Sequence, residues 1–142
     1  MSKEKITDLS RAIIEIVWHF GPKGSAGECC ENLSVPEFMA LDRISGIQDC
    51  AVQNIGQRLG FTKSGATRIV NRLEKKGYVQ KIRSAEDGRI CCVALTSLGN
   101  EILKSTDERL RAELEQLFTK IPEKDVPHMK EMLKGMAKVL KS

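Results

Sequence analysis

The sequence predicts a mainly α fold with one small β-hairpin, an α+β chain, and three observations carry that expectation. Six stretches of the 142 residues repeat apolar side chains three or four positions apart. Two strand-like runs, YVQKIR and RICCVAL, flank the turn-forming SAEDG. A content of 41% hydrophobic and 30% charged residues suits a globular chain with a packed core.

The elements follow in order. Ile6, Leu9, Ile13, Ile16, Val17 and Phe20 share one face of a first helix over 5–20, which GPKGSAG at 21–27 breaks. In LSVPEFMALDRI, Ser34 caps a second helix, Pro36 suits its first turn, and Glu37 stands where a capping box places its acid. Phe38, Leu41 and Ile44 continue its apolar face and Gly46 ends it. A short third helix over 51–59 turns Val52, Ile55 and Leu59 inward and stops at Gly60 in a left-handed cap. The fourth starts at Thr62 or Ser64, buries Ala66, Ile69, Val70 and Leu73, and ends at Gly77. The hairpin comes next, with Gly88 relieving its turn, and then helices near 97–120 and 123–141. Leu103, Leu110, Leu114, Leu117 and Ile121 form a stripe on the first of these, and Met129, Leu133, Met136 and Leu140 on the second. Such stripes serve a core or a second subunit.

The net charge of +4 is unevenly spread. Residues 57–89 hold nine Lys or Arg against three acids, so the rest of the chain is net negative. That is the electrostatic footprint of a nucleic-acid face. A solvated helix face would carry the same cluster; the aromatic content of 4% argues against a stacking platform for single strands, and double-stranded DNA is the expected partner. Two short helices joined at a glycine, followed by a basic hairpin, make a winged helix-turn-helix. Base edges want short or forked polar groups near the start of the reading helix, and phosphates want cations. Thr62, Lys63, Ser64, Thr67 and Arg68 supply the first, Arg72 and Lys75 the second, and Asn71 shares their face. Arg89 at the hairpin tip suits the negative potential of a minor groove, with Asp87 holding it or another arginine by a forked hydrogen bond. A plain Asp-Gly turn that merely closes the hairpin is the alternative.

The run NIGQRLGFTKSGATRIVNRLEKKGYVQKIRSAEDGRICCVALTSLG resembles the core of the MarR family of winged-helix transcriptional regulators. The pieces that carry the resemblance are RLEKKGYV, Asp87-x-Arg89 and ALTSLG, and the order of flanking helices matches over nearly the whole chain. The resemblance implies a homodimer built from N- and C-terminal dimerisation helices, with 1–25 and 98–142 in that role and 26–97 as the DNA-binding domain. It also implies a repressor on a pseudo-palindromic operator, released by a small-molecule, thiol-reactive or metal effector. The family's wing arginine carries over to Arg89 and its supporting aspartate to Asp87, beside Gly88. Its recognition positions carry over to Lys63, Ser64, Thr67 and Arg68. The family's effector cleft points to Trp18, Phe38, Met39 and Arg43, with Arg43 pairing an aromatic carboxylate. Core packing explains the three apolar ones equally well.

Five cysteines, none in a C-x-x-C pair, suit free thiols in a reducing compartment. Cys91 and Cys92, as strand neighbours, project to opposite faces, which disfavours a shared metal ion. Cys29, Cys30 and Cys50 are the candidate thiol sensors, with Glu28 and His19 near the first two. The zinc-sensing pattern of histidines on the fifth helix is missing from 97–121, and the peroxide-sensing cysteine early in the first helix is missing from 1–28. No metal or cofactor is therefore expected. Two histidines, no Gly-rich phosphate loop and no nucleophile–base motif argue against an enzyme. A winged-helix module that binds protein instead of DNA is the other reading, and it would want an apolar or acidic face over 62–75. With neither a signal peptide nor a span, the expected location is the cytoplasm, away from membranes.

Overall fold

The computed structural model describes residues 1–20, 28–30 and 32–141, with 28–30 and 91 as backbone alone. The predicted helix breaker at 21–27 and the side chains of Cys29, Cys30 and Cys91 lie outside the described residues. The elements run α1 (Lys3–Phe20), β1 (Glu28–Cys30), β2 (Leu33–Ser34), α2 (Val35–Ser45), α3 (Val52–Leu59) and α4 (Lys63–Lys75). They continue with β3 (Val79–Arg83), β4 (Ile90–Leu95), α5 (Ser97–Thr119), a 3-10 turn (Glu123–Asp125) and α6 (Val126–Lys141). The mainly α chain with a small antiparallel hairpin is thus observed, as a winged-helix fold. No helix among the described residues is long and apolar enough to cross a membrane.

The chain divides into two compact units, Met1–Thr106 and Asp107–Ser142. In the first, α2 packs on α3, α4 and β4, and α3 on α4. Leu33, Leu41, Ile55, Val70, Leu73 and Val93 form the fully buried centre. The predicted inner stripe of α4, Ala66, Ile69, Val70 and Leu73, is buried as its 3.6-residue periodicity requires. Helix α1 has no buried residue: Ile6, Leu9, Ile13, Ile16, Val17 and Trp18 are all exposed. In the second unit α6 likewise buries nothing, leaving Met132, Leu133, Met136, Val139 and Leu140 exposed.

Local chemistry sets the element ends. Ser34 Oγ accepts from Glu37 N at 3.3 Å, capping α2 with Pro36 in its first turn. The reciprocal half of the expected capping box is replaced: Glu37 Oε2 accepts from Lys76 Nζ at 2.6 Å, and Lys76 also donates to Asn32 O at 2.7 Å. A buried carboxylate gains more from a cation beside it than from one amide. The result ties the C-terminal end of α4 to the start of α2. Between α3 and α4, Gly60 adopts φ 71°, a left-handed conformation that favours glycine, and Phe61 N donates to Gly56 O at 2.9 Å.

The hairpin pairs Val79 with Leu95 through Ile82 with Cys92, then slips so that Arg83 faces Ile90. The extra residue falls at Cys91, so the regular alternation expected for Cys91 and Cys92 is interrupted by a bulge. Cys50 adds a bridge on the other edge of β4, Val93 N donating to Cys50 O at 2.9 Å. After the hairpin Thr96 Oγ1 donates to Gly77 O at 2.6 Å and accepts from Gly99 N at 3.0 Å, pinning the start of α5 to the end of α4. Gly99 packs directly on the Tyr78 backbone, where a Cβ would collide with the Tyr78 carbonyl.

Candidate nucleic-acid interface

Helix α4 presents its polar side outward: Lys63, Ser64, Thr67, Arg68, Asn71, Arg72 and Lys75 are all exposed. Thr62, Lys63, Ser64, Thr67, Arg68 and Asn71 line one shallow depression, so the sequence-predicted reading set is brought together. Among the described residues no carboxylate pairs with Lys63, Arg68, Arg72 or Lys75. The face therefore carries uncompensated positive charge, the condition for attracting a polyanion.

The hydroxyls on this face have prior partners. Thr62 Oγ1 accepts from Gly65 N at 3.0 Å and lies 3.2 Å from Ser64 Oγ, so Thr62 is the N-cap of α4. Thr67 Oγ1 donates to Lys63 O at 2.9 Å, which uses its one donor and leaves an acceptor and a methyl group facing out. The forked donors left on the face are thus those of Arg68 and Arg72, with the ammonium of Lys63 beside Arg68 in the depression.

The hairpin adjoins this surface. A deeper cavity of about 390 Å³ is lined by Lys63, Thr67, Val70 and Asn71 of α4, by Ala51, Val52 and Gln53 at the start of α3, and by Lys81 and Ile90 of the hairpin. Lys81 Nζ donates to Asn71 Oδ1 at 2.6 Å and lies 3.5 Å from Glu74 Oε1, linking β3 to α4. Sequence reasoning passed over Lys81, although it stands two residues from the buried Val79 and so on the strand face that meets the helix.

At the wing tip Arg89 is 87% exposed. Asp87 Oδ1 accepts from Arg89 N at 3.0 Å, while Asp87 Oδ2 lies 3.8 Å from Arg89 Nε. The forked hydrogen bond expected from the sequence is thus replaced by an Asx-type turn plus a looser ion pair, since 3.8 Å exceeds hydrogen-bond length. Gly88 stands at φ 71° and its carbonyl accepts from Arg83 at 2.9 Å, which stiffens the tip.

The expected effector residues lie on two helices, Trp18 on α1 and Phe38, Met39 and Arg43 on α2. Phe38 and Arg43, five residues apart on α2, lie about 140° round the helix from each other. Phe38 packs against the core, Met39 is 39% and Trp18 71% exposed, and Arg43 instead lines a recess with Ile47, Asn54, Gln57 and Arg58. Cys50 is fully buried, and burial pushes its thiol pKa up, with Arg43 pulling the other way. Cys92 is buried too. Among the described residues no group of three His, Cys, Asp or Glu is placed to hold a metal ion.

A family model described as MarR family matches residues 31–90. The HTH-type transcriptional regulator PapX of Escherichia coli is 33% identical over 112 residues, covering 71% of this chain and 68% of PapX. The chain belongs to the MarR family of transcriptional regulators. The match of this MarR-family chain to SarZ of Staphylococcus haemolyticus is 33% identical over 87 residues. It spans about half the length of such curated relatives, 56% for SarZ and 49% for YfiV of Bacillus subtilis. Among solved structures, the transcriptional regulator BldR of Sulfolobus solfataricus is 27% identical with a TM-score of 0.69, covering 99% of this chain and 98% of BldR. FabT of Streptococcus pneumoniae, solved in complex with DNA, is 24% identical with a TM-score of 0.67 and shares the fold over 96% of this chain and 93% of its own.

Proposed function

We propose that this MarR-family chain is a homodimeric repressor that reads a pseudo-palindromic double-stranded operator with α4 and the hairpin. The uncompensated cationic face of α4 carries the reading. Lys63, Ser64, Thr67 and Arg68 address base edges, Arg72 and Lys75 the phosphates, and Arg89 the neighbouring minor groove. Thr62 contributes by fixing the start of α4. Support for repression comes from the transcriptional repressor MprA of Escherichia coli, 33% identical over 69 residues. The exposed apolar stripes of α1 and α6 support pairing, because a lone chain would leave them in water. Segments 1–25 and 98–142 would form the dimer and 26–97 the reading unit. A small effector would release the DNA through contacts that include Trp18 and Met39, with thiol chemistry at Cys29 and Cys30 as a second route. A protein-binding role for the winged helix gains nothing from a face this cationic.

A mobility-shift titration on duplexes selected from a random pool tests the proposal. Each neutralised phosphate should contribute about 0.9 to the slope of log affinity against log salt. Salt-independent binding, or a monomer by sedimentation at micromolar concentration, would refute it.

A further inference from the structure

The recess that captures Arg43 lies between α2 and α3 and measures about 410 Å³, within the usual range of about 300–1,000 Å³ for small-ligand sites. Its lining is Arg43 and Ile47 at the end of α2 and beyond, and Asn54, Gln57 and Arg58 of α3. Two arginines, an asparagine and a glutamine therefore line one space, with no carboxylate residue in the lining. Among the described residues neither arginine forms an ion pair. Arg43 Nε is buried and meets no acceptor among the described residues. A buried charged donor left unpaired is costly, and two like charges around one recess repel. A planar carboxylate or a phosphate between the two arginines relieves that repulsion, accepting fork-on-fork from guanidinium and singly from amide donors.

We infer that the recess between α2 and α3 binds a small free oxyanion, a carboxylate or a phosphate, through Arg43 and Arg58, with Asn54 and Gln57 completing the donor set. The DNA backbone is not the source of that anion. On α3 the residues that share a cavity with α4 and the hairpin are Val52 and Gln53. At about 100° per residue, Asn54 and Arg58 lie about 100–160° round the helix from these two, while Gln57, about 40° from Gln53, stands at the edge of the site. The two recesses share no lining residue, so the oxyanion site stands whether or not the reading face binds DNA. An anion bridging the two arginines would clamp α2 to α3, and α3 packs on the reading helix.

The test is NMR of arginine Nε–H and side-chain amide resonances during titration with sodium phosphate or sodium benzoate, each against chloride at constant ionic strength. Saturable shifts are expected at Arg43 Nε–H and at the Asn54 and Gln57 amides. Response to one anion alone supports the site and names its class. Arg58→Met, at an exposed position, and Arg43→Lys, which keeps charge but removes the Nε donor, should each weaken binding at least tenfold. No saturable shift at Arg43 with either anion overturns the inference. So do shifts confined to Lys63 and Arg68, or an affinity unchanged in Arg58→Met.

Discussion

Replacing Gly99 by alanine sets two opposing effects against each other. In an open helix the change stabilises by about 1 kcal/mol through reduced backbone entropy in the unfolded chain. At Gly99 the new Cβ would overlap the Tyr78 carbonyl oxygen and crowd the carbonyl carbon, all backbone atoms with no rotamer to relieve them. Overpacking of this kind costs about 1–3 kcal/mol and sometimes more. Moving α5 away would also stretch the bonds from Thr96 Oγ1 to Gly77 O and from Gly99 N to Thr96 Oγ1. The overlap and the stretched bonds together outweigh that gain, for a net loss of about 1–2 kcal/mol and a fall in Tm of roughly 3–8 °C for a chain of this size. Gly135→Ala in α6 is the matched control, because nothing lies within 4 Å of a Cβ there. It should raise stability by up to about 1 kcal/mol. Urea unfolding should show a shifted midpoint at unchanged slope in both variants. A Gly99→Ala protein as stable as the parent would refute the close approach of α5 to Tyr78.

Breaking the Lys76–Glu37 pair by Lys76→Met or Glu37→Gln should cost about 2–3 kcal/mol, since Glu37 is buried and its partner only 22% exposed. A double-mutant cycle by urea unfolding checks it, and near-additive losses would show that the pair does not couple. Arg89→Ala should lower DNA affinity, most on duplexes with A/T-rich flanks whose narrow minor groove favours a guanidinium, measured by mobility shift; an unchanged affinity would place Arg89 away from the groove. Burial raises the thiol pKa of Cys50, so the folded state disfavours the thiolate. Stability should therefore fall as pH climbs past about 8.5, where the unfolded chain ionises first, and Cys50→Ala should flatten that part of the pH profile. Rapid alkylation of Cys50 in the folded protein at neutral pH, read by mass spectrometry, would contradict its burial.

Local rules determined much of this protein directly from its sequence. The buried stripe of α4, the Ser34 and Thr62 caps and the left-handed Gly60 depend on residues within a turn or two of each other, and those signals lie on the chain in plain order. The cationic set at Lys63, Arg68, Arg72 and Lys75 was legible for the same reason, because a 3.6-residue period assigns faces without knowledge of neighbours. Tertiary structure alone decided which groups met across long separations. Glu37 reads as a capping acid until Lys76, thirty-nine residues later, arrives beside it. Lys81 becomes a link only when Asn71 is placed opposite. Arg43 belongs to no site until the folding of α3 against α2 sets it beside Arg58. Side-chain partners are fixed by packing in three dimensions, and sequence periodicity carries the direction in which a residue points but not what it finds there.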